Sequence, residues 1–117
     1  MENKEFADSL EKRIRDFAIS IIQLSAKLPN TPEGRVVRNQ ITKSGTSVGA
    51  NYREANRARS CADFISKIKI CEGEASETQF WLEIIKKLKW LDNSEIEPFY
   101  VECSELLAIF TSIGRKN

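Results

Sequence analysis

Apolar residues recur through the first part of the chain at spacings that alternate between four and three: Phe6, Leu10, Ile14, Phe17, Ile21, Leu24 and Leu28. An α-helix turns once every 3.6 residues, so this spacing draws one apolar stripe along a helix over 5–28. "LPNTP" stops that helix. Thr31 as N-cap, with Pro32 at the first helical position where a missing N–H does no harm, opens a second helix over 32–59. Its stripe is Val37, Ile41, Ser44, Val48, Tyr52 and Ala55. Ser60 followed by Asp63 is a capping-box-like restart, and a third helix follows over 61–91, roughly 45 Å long. Ser94 and Glu97 repeat the box before a fourth helix over 95–113, whose stripe of Ile96, Phe99, Cys103, Leu106, Phe110 and Ile113 ends at Gly114. Four helices joined by short loops predict an all-α, antiparallel up-down-up-down four-helix bundle in a single domain, 1–117.

The third helix carries a second pattern. One stripe holds Phe64, Ile68, Cys71, Ala75, Thr78, Leu82 and Ile85, and another holds Ile70, Glu74, Glu77, Trp81, Ile84, Leu88 and Leu91. A helix apolar on two sides needs cover on two sides, which a lone bundle does not give. Self-association through the second stripe, or unusually deep burial of this helix within one chain, would supply it.

The stretch "SGTSVGANYREA", residues 44–55, has the glycines and hydroxyls of a phosphate loop but neither a preceding strand nor a Gly-Lys-Ser/Thr end. The apolar stripe of helix two passes through it unbroken within a band about 80° wide, so the helix continues. Gly45 and Gly49 then lie four apart on one flank, where small residues let another helix approach closely. Two interior glycines cost about 2 kcal/mol relative to alanine, which close packing must offset. That packing is intramolecular, or it is a subunit or ligand contact with Asn51 and Glu54 at its edge.

Composition narrows the chemistry. Hydrophobic residues make up 41% and charged residues 30% of the 117, which describes a compact helical protein and excludes disordered or collagen-like sequence. The charged start "MENKEFADSLEKRIRDF" has no apolar targeting core, and no run reaches membrane-span length, so a cytoplasmic location with no membrane partner is expected. Cys61, Cys71 and Cys103 have no metal-site spacing and are expected as reduced, partly buried thiols. With no histidine, the commonest general base and metal ligand are missing, and the chain is expected to be no enzyme and to need no cofactor. Glu74 and Glu77 share one helix face within an otherwise apolar stripe, followed by Trp81. A carboxylate pair can act as acid and base or hold a metal, but one pair is too few ligands for a metal cage. Charge-assisted bonds to arginines across an interface are the preferred reading.

The net charge of +1 hides an asymmetry. Residues 35–59 hold six basic groups, Arg35, Arg38, Lys43, Arg53, Arg57 and Arg59, against the single acid Glu54, a segment charge of +5. Arg35, Lys43, Arg53 and Arg57 project opposite the apolar stripe, with Arg38 and Arg59 nearer its flanks. Such a ridge can hold a phosphate backbone of RNA or DNA, or it can be a solvated face whose arginines pair with acidic neighbours.

At "SGTSVGANYREA" and "ARSCADFISKIKICEGEASETQFWLEII" the sequence resembles the bacterial four-helix-bundle proteins encoded in intervening sequences of 23S ribosomal RNA, also labelled S23 proteins. The family's pattern of a small-residue helical turn, Asn, two residues and Glu falls on Asn51 and Glu54, and its Glu-x-x-Glu-Thr pattern falls on Glu74, Glu77 and Thr78. The resemblance implies an up-and-down bundle assembled as a homopentamer. It also implies kinship with the accessory variability determinant of diversity-generating retroelements, a basic pentamer thought to bind nucleic acid and a reverse transcriptase. The near-neutral charge of this chain departs from the positive excess of such basic members.

Overall fold

The computed structural model describes residues 3–116, in which four α-helices and no strand are found: α1 (Lys4–Ser25), α2 (Pro32–Ala55), α3 (Cys61–Leu88) and α4 (Asn93–Lys116). At 1.5 Å per residue α3 spans about 42 Å, close to the 44 Å long axis of the molecule, so the other helices lie along it. Each of α2, α3 and α4 packs on its chain neighbour, and α4 makes a lighter contact back to α1.

The stripes read from spacing form the core. Every stripe residue of α2 is buried, as is every residue of the first α3 stripe, and Tyr52 meets Phe110 at a ring-centroid distance of 6.0 Å in its middle. Each fully buried Leu, Ile or Phe contributes roughly 1.5–3 kcal/mol. Two stripe positions differ: Phe6 is exposed and Phe99 only partly buried.

Partners across each seam run in opposite numerical order. Between α2 and α3, Thr78 donates to Ser44, the Cys71 thiol to the Val48 carbonyl, and Lys67 pairs with Glu54. Between α3 and α4, Tyr100 donates to Glu83, Gln79 to Ser104 and Thr111 to Glu72. Arg13 clasps Glu102 with two bonds of 2.6 and 2.7 Å and Glu105 with a third, while Lys27 reaches Glu95, so side-chain charges link α1 and α4.

The helix ends correct the sequence expectations. α1 closes at Ser25 rather than residue 28, because Lys27 and Leu28 donate to carbonyls only three residues back before Pro29, and a residue preceding proline is driven out of the helical region. α2 stops at Ala55 rather than 59: Arg57 and Ala58 make the same tight bonds, and Ser60 must be extended to cap α3. α3 stops at Leu88 rather than 91 because Lys89 takes the left-handed conformation, φ 58°, that glycine more often supplies at a helix end. α4 starts at Asn93, ahead of 95, with the Asp92 carbonyl accepting from Glu95 and Ile96, and it continues through Gly114 to Lys116.

The start signals of α2 and α3 are made as expected. Thr31 Oγ1 accepts from Gly34 N–H at 3.0 Å. Ser60 Oγ accepts from Asp63 N–H at 3.1 Å, and Asp63 in return accepts from the Arg59 rather than the Ser60 N–H.

The glycines of 44–55 face α1. A Cβ on Gly45 would sit 2.8 Å from Ile21 Cγ2, and one on Gly49 3.4 Å from Ile14 Cγ2, so the thinned side of α2 receives the α1 core residues of the same chain. Cys71 and Cys103 are buried and donate to the Val48 and Ala75 carbonyls, and burial pushes both thiols up to about 12. Cys61, by contrast, is exposed at the start of α3.

Candidate nucleic-acid interface

The basic residues of the α2 segment separate into three settings. Arg35, Arg53, Arg57 and Arg59 are exposed, and none of the four forms an ion pair with another described residue. Arg35 donates to Asn30 Oδ1 at 3.2 Å. Arg38 is half-buried and donates to the Leu28 carbonyl at 2.8 Å, which ties it to the α1–α2 loop and takes it off the exposed ridge. Lys43 lies on the α2–α3 side, where its charge acts on Glu74.

Arg53, Arg57 and Arg59 gather where α2 ends and α3 begins. Arg53 and Arg57, with Lys4, Asp8, Glu11 and Phe64, line a cleft of about 480 Å³. Arg57 and Arg59 line a second of about 620 Å³ with Glu54, Ser60, Asp63 and Lys67. Most carboxylates here are engaged elsewhere: Asp8 holds Lys4 at 2.9 Å, Glu54 faces Lys67 at 3.7 Å, and Asp63 is part of the α3 cap. The guanidinium groups therefore remain open to an external anion. Lys4 and Lys67 were not read as members of this cluster from sequence; the reversal between α2 and α3 brings Lys67 level with Glu54, while Lys4 arrives from the start of α1, which spacing along α2 does not report.

The second group of site residues forms a polar seam on α2 and α3. Ser47 faces the Glu74 carboxyl, Asn51 Nδ2 donates to the Ser47 carbonyl at 2.9 Å, and Trp81 Nε1 donates to Glu77 at 3.2 Å. Asn51 thus bonds within its own helix. Phe80 packs edge-on against Trp81 at 4.9 Å. Among the described residues no group of three Cys, Asp, Glu or His could hold a metal ion, so Glu74 and Glu77 have no third ligand there.

Glu74 is partly buried, and its carboxyl is held above the ordinary value of 4.5, first by burial and then by the Glu77 charge, against the opposing pull of Lys43 and Ser47. The folded state thus binds this proton more tightly than the unfolded chain. The contribution to stability is full below the unfolded value and is lost as pH rises through the raised folded value. Glu74→Gln should remove that decline, flattening stability in urea titrations from about pH 4 to about pH 7 relative to the parent. An unchanged pH profile would show that the charge of Glu74 costs the fold nothing.

The model of the 23S rRNA-intervening sequence protein family matches residues 9–112, nearly the whole bundle. The chain belongs to that family. A crystal structure at 1.70 Å resolution of a protein of unknown function from the S23 ribosomal protein family of Bacteroides thetaiotaomicron is similar to it, with 36% sequence identity and a TM-score of 0.83. The match covers 89% of this chain and 96% of that one, so the four-helix arrangement is common to both. A comparison with curated proteins finds no match. Neither family description names a catalytic activity. Among the described residues of this S23 family member, no helix is long and apolar enough to cross a membrane.

Proposed function

We propose that this S23 family member is a non-catalytic, self-associating up-down-up-down bundle of the cytoplasm that binds RNA or DNA through the exposed cations of α2 and of the loop that follows it. The opposite running order of partners across every seam supports the topology. One observation carries the nucleic-acid reading: Arg35, Arg53, Arg57 and Arg59 are exposed and lack ion pairs with other described residues, although the chain holds 17 acidic residues. Four unpaired guanidinium groups on one segment hold counterions that a phosphate backbone would release. Phe64, the aromatic residue of their cleft, is buried and offers no face for base stacking, so the contact is to backbone and carries little base specificity.

Replacing Arg53 and Arg57 together by alanine should weaken binding to a structured RNA about tenfold or more at low salt and reduce the log-log salt slope by up to about 2. Loss of neither would remove α2 from the interface.

Self-association is supported by the second stripe of α3. Ile70 and Leu88 are exposed at 41% and 52%, and Glu74, Trp81 and Ile84 are only partly covered, which disfavours deep burial of α3 within one chain. The resemblance to pentameric proteins sets the expected copy number at five. The same exposed apolar surface favours a second reading, an adaptor that docks a protein such as a reverse transcriptase without touching nucleic acid. Salt separates the two, since an apolar contact does not weaken steeply as ionic strength rises.

A further inference from the structure

Besides the α3 stripe, the exposed side of α1 carries large apolar groups. Ile19 and Ile22 are 49% and 48% exposed, and Ile19 lies about 160° around the helix from the buried Ile21. These two surfaces do not cover each other within one chain, because α1 packs on α2 and α4 and its backbone does not closely approach that of α3.

The chemistry of the stripe argues against its pairing with itself. Glu74 and Glu77 lie within the stripe and none of its other members is basic, so a two-fold contact along it would gather four carboxylates in one interface with no stripe cation to offset them. Burial and Glu77 already disfavour the charged form of Glu74, and a second carboxylate pair would add to that cost. The α1 surface offers the opposite sign. Arg15 is exposed one turn before Ile19 and forms no ion pair with another described residue.

We infer that the α3 stripe of one copy, from Ile70 through Glu74, Trp81 and Leu88, docks on the Arg15, Ile19 and Ile22 face of α1 in a second copy. The contact joins two different surfaces and is therefore head-to-tail, leaving each copy with one donor and one acceptor face. This rests on the self-association proposed above and goes further by naming the two faces and their polarity.

Complementation tests it. One variant breaks the α1 face, Ile19→Asp with Ile22→Asp; the other breaks the α3 face, Trp81→Ser with Leu88→Ser. By sedimentation each variant alone should run at the single-chain mass of 13.3 kDa. Mixed in equal amounts they should form a pair of twice that mass which grows no further, because the intact α3 face of the first meets the intact α1 face of the second. Circular dichroism checks that both variants fold, and the single changes Ile22→Asp and Leu88→Ser, at exposed sites, replace any that do not. A mixture that stays monomeric while the parent protein assembles, or a variant that assembles alone, overturns the pairing of faces. A parent protein that is itself monomeric overturns self-association, and this inference with it.

Discussion

Gly34→Ala is expected to lower stability by about 3 kcal/mol, at the upper end of the usual cost of forcing extra atoms into a packed site. A Cβ at Gly34 would fall 1.9 Å from the Pro29 carbonyl oxygen and 2.8 Å from its carbon. Both are backbone atoms, so no rotamer change relieves the clash. The α1–α2 loop must move, and with it the Thr31 cap and the Arg38 bond to Leu28. The midpoint of thermal unfolding should fall by roughly 10 °C or more for a domain of this size. Gly73→Ala supplies the control. A Cβ there meets nothing within 4 Å on an exposed turn of α3, so alanine should stabilise by about 1 kcal/mol through helix propensity alone. Equal behaviour of the two variants would mean that the loop does not lie against α2 as described.

The second large effect separates two glycines only four residues apart. Gly45→Ala should destabilise by about 1–2 kcal/mol, because its methyl would meet Ile21 Cγ2 at 2.8 Å and Ile21 Cβ at 3.2 Å, and Ile21 is fully buried with little room to turn. Gly49→Ala should be neutral or stabilising, since 3.4 Å to Ile14 Cγ2 is near ordinary contact and alanine gains about 1 kcal/mol of helix propensity. Chemical denaturation of both variants reads the difference directly. If Gly49→Ala were the damaging change while Gly45→Ala was silent, the close approach of α1 would have to lie one turn further along.

This contrast marks what the sequence could and could not convey. The alternation of fours and threes identified the buried stripes of all four helices, because burial of one face is what periodicity encodes. It also placed Gly45 and Gly49 on a flank of small residues, but which helix approaches that flank, and how closely, depends on packing that spacing does not report. Gly34 escaped notice because its constraint comes from the Pro29 carbonyl across a loop. The end of α3 was missed because lysine, which pays a steric penalty there, occupies the left-handed position at residue 89. Phe6 satisfies the periodicity of α1 yet is exposed in the helix's first turn.

The candidate interface was legible in charge and less so in geometry. Six basic residues against one acid in 35–59 are visible to counting. Counting could not separate Arg38, drawn onto the Leu28 carbonyl, from Arg53, Arg57 and Arg59, nor bring Lys43 to the Glu74 seam. Those assignments depend on side-chain direction and on the register between α2 and α3.

Whether the cations of α2 and the α2–α3 loop hold a phosphate backbone is read by fluorescence anisotropy of a labelled structured RNA and a matched DNA duplex across about 50 to 300 mM salt. Binding should fall linearly on a log-log salt plot, with similar slopes for different sequences. Absence of binding to both at the lowest salt would contradict it and leave the apolar surfaces of α1 and α3 as the places where this protein meets its partners.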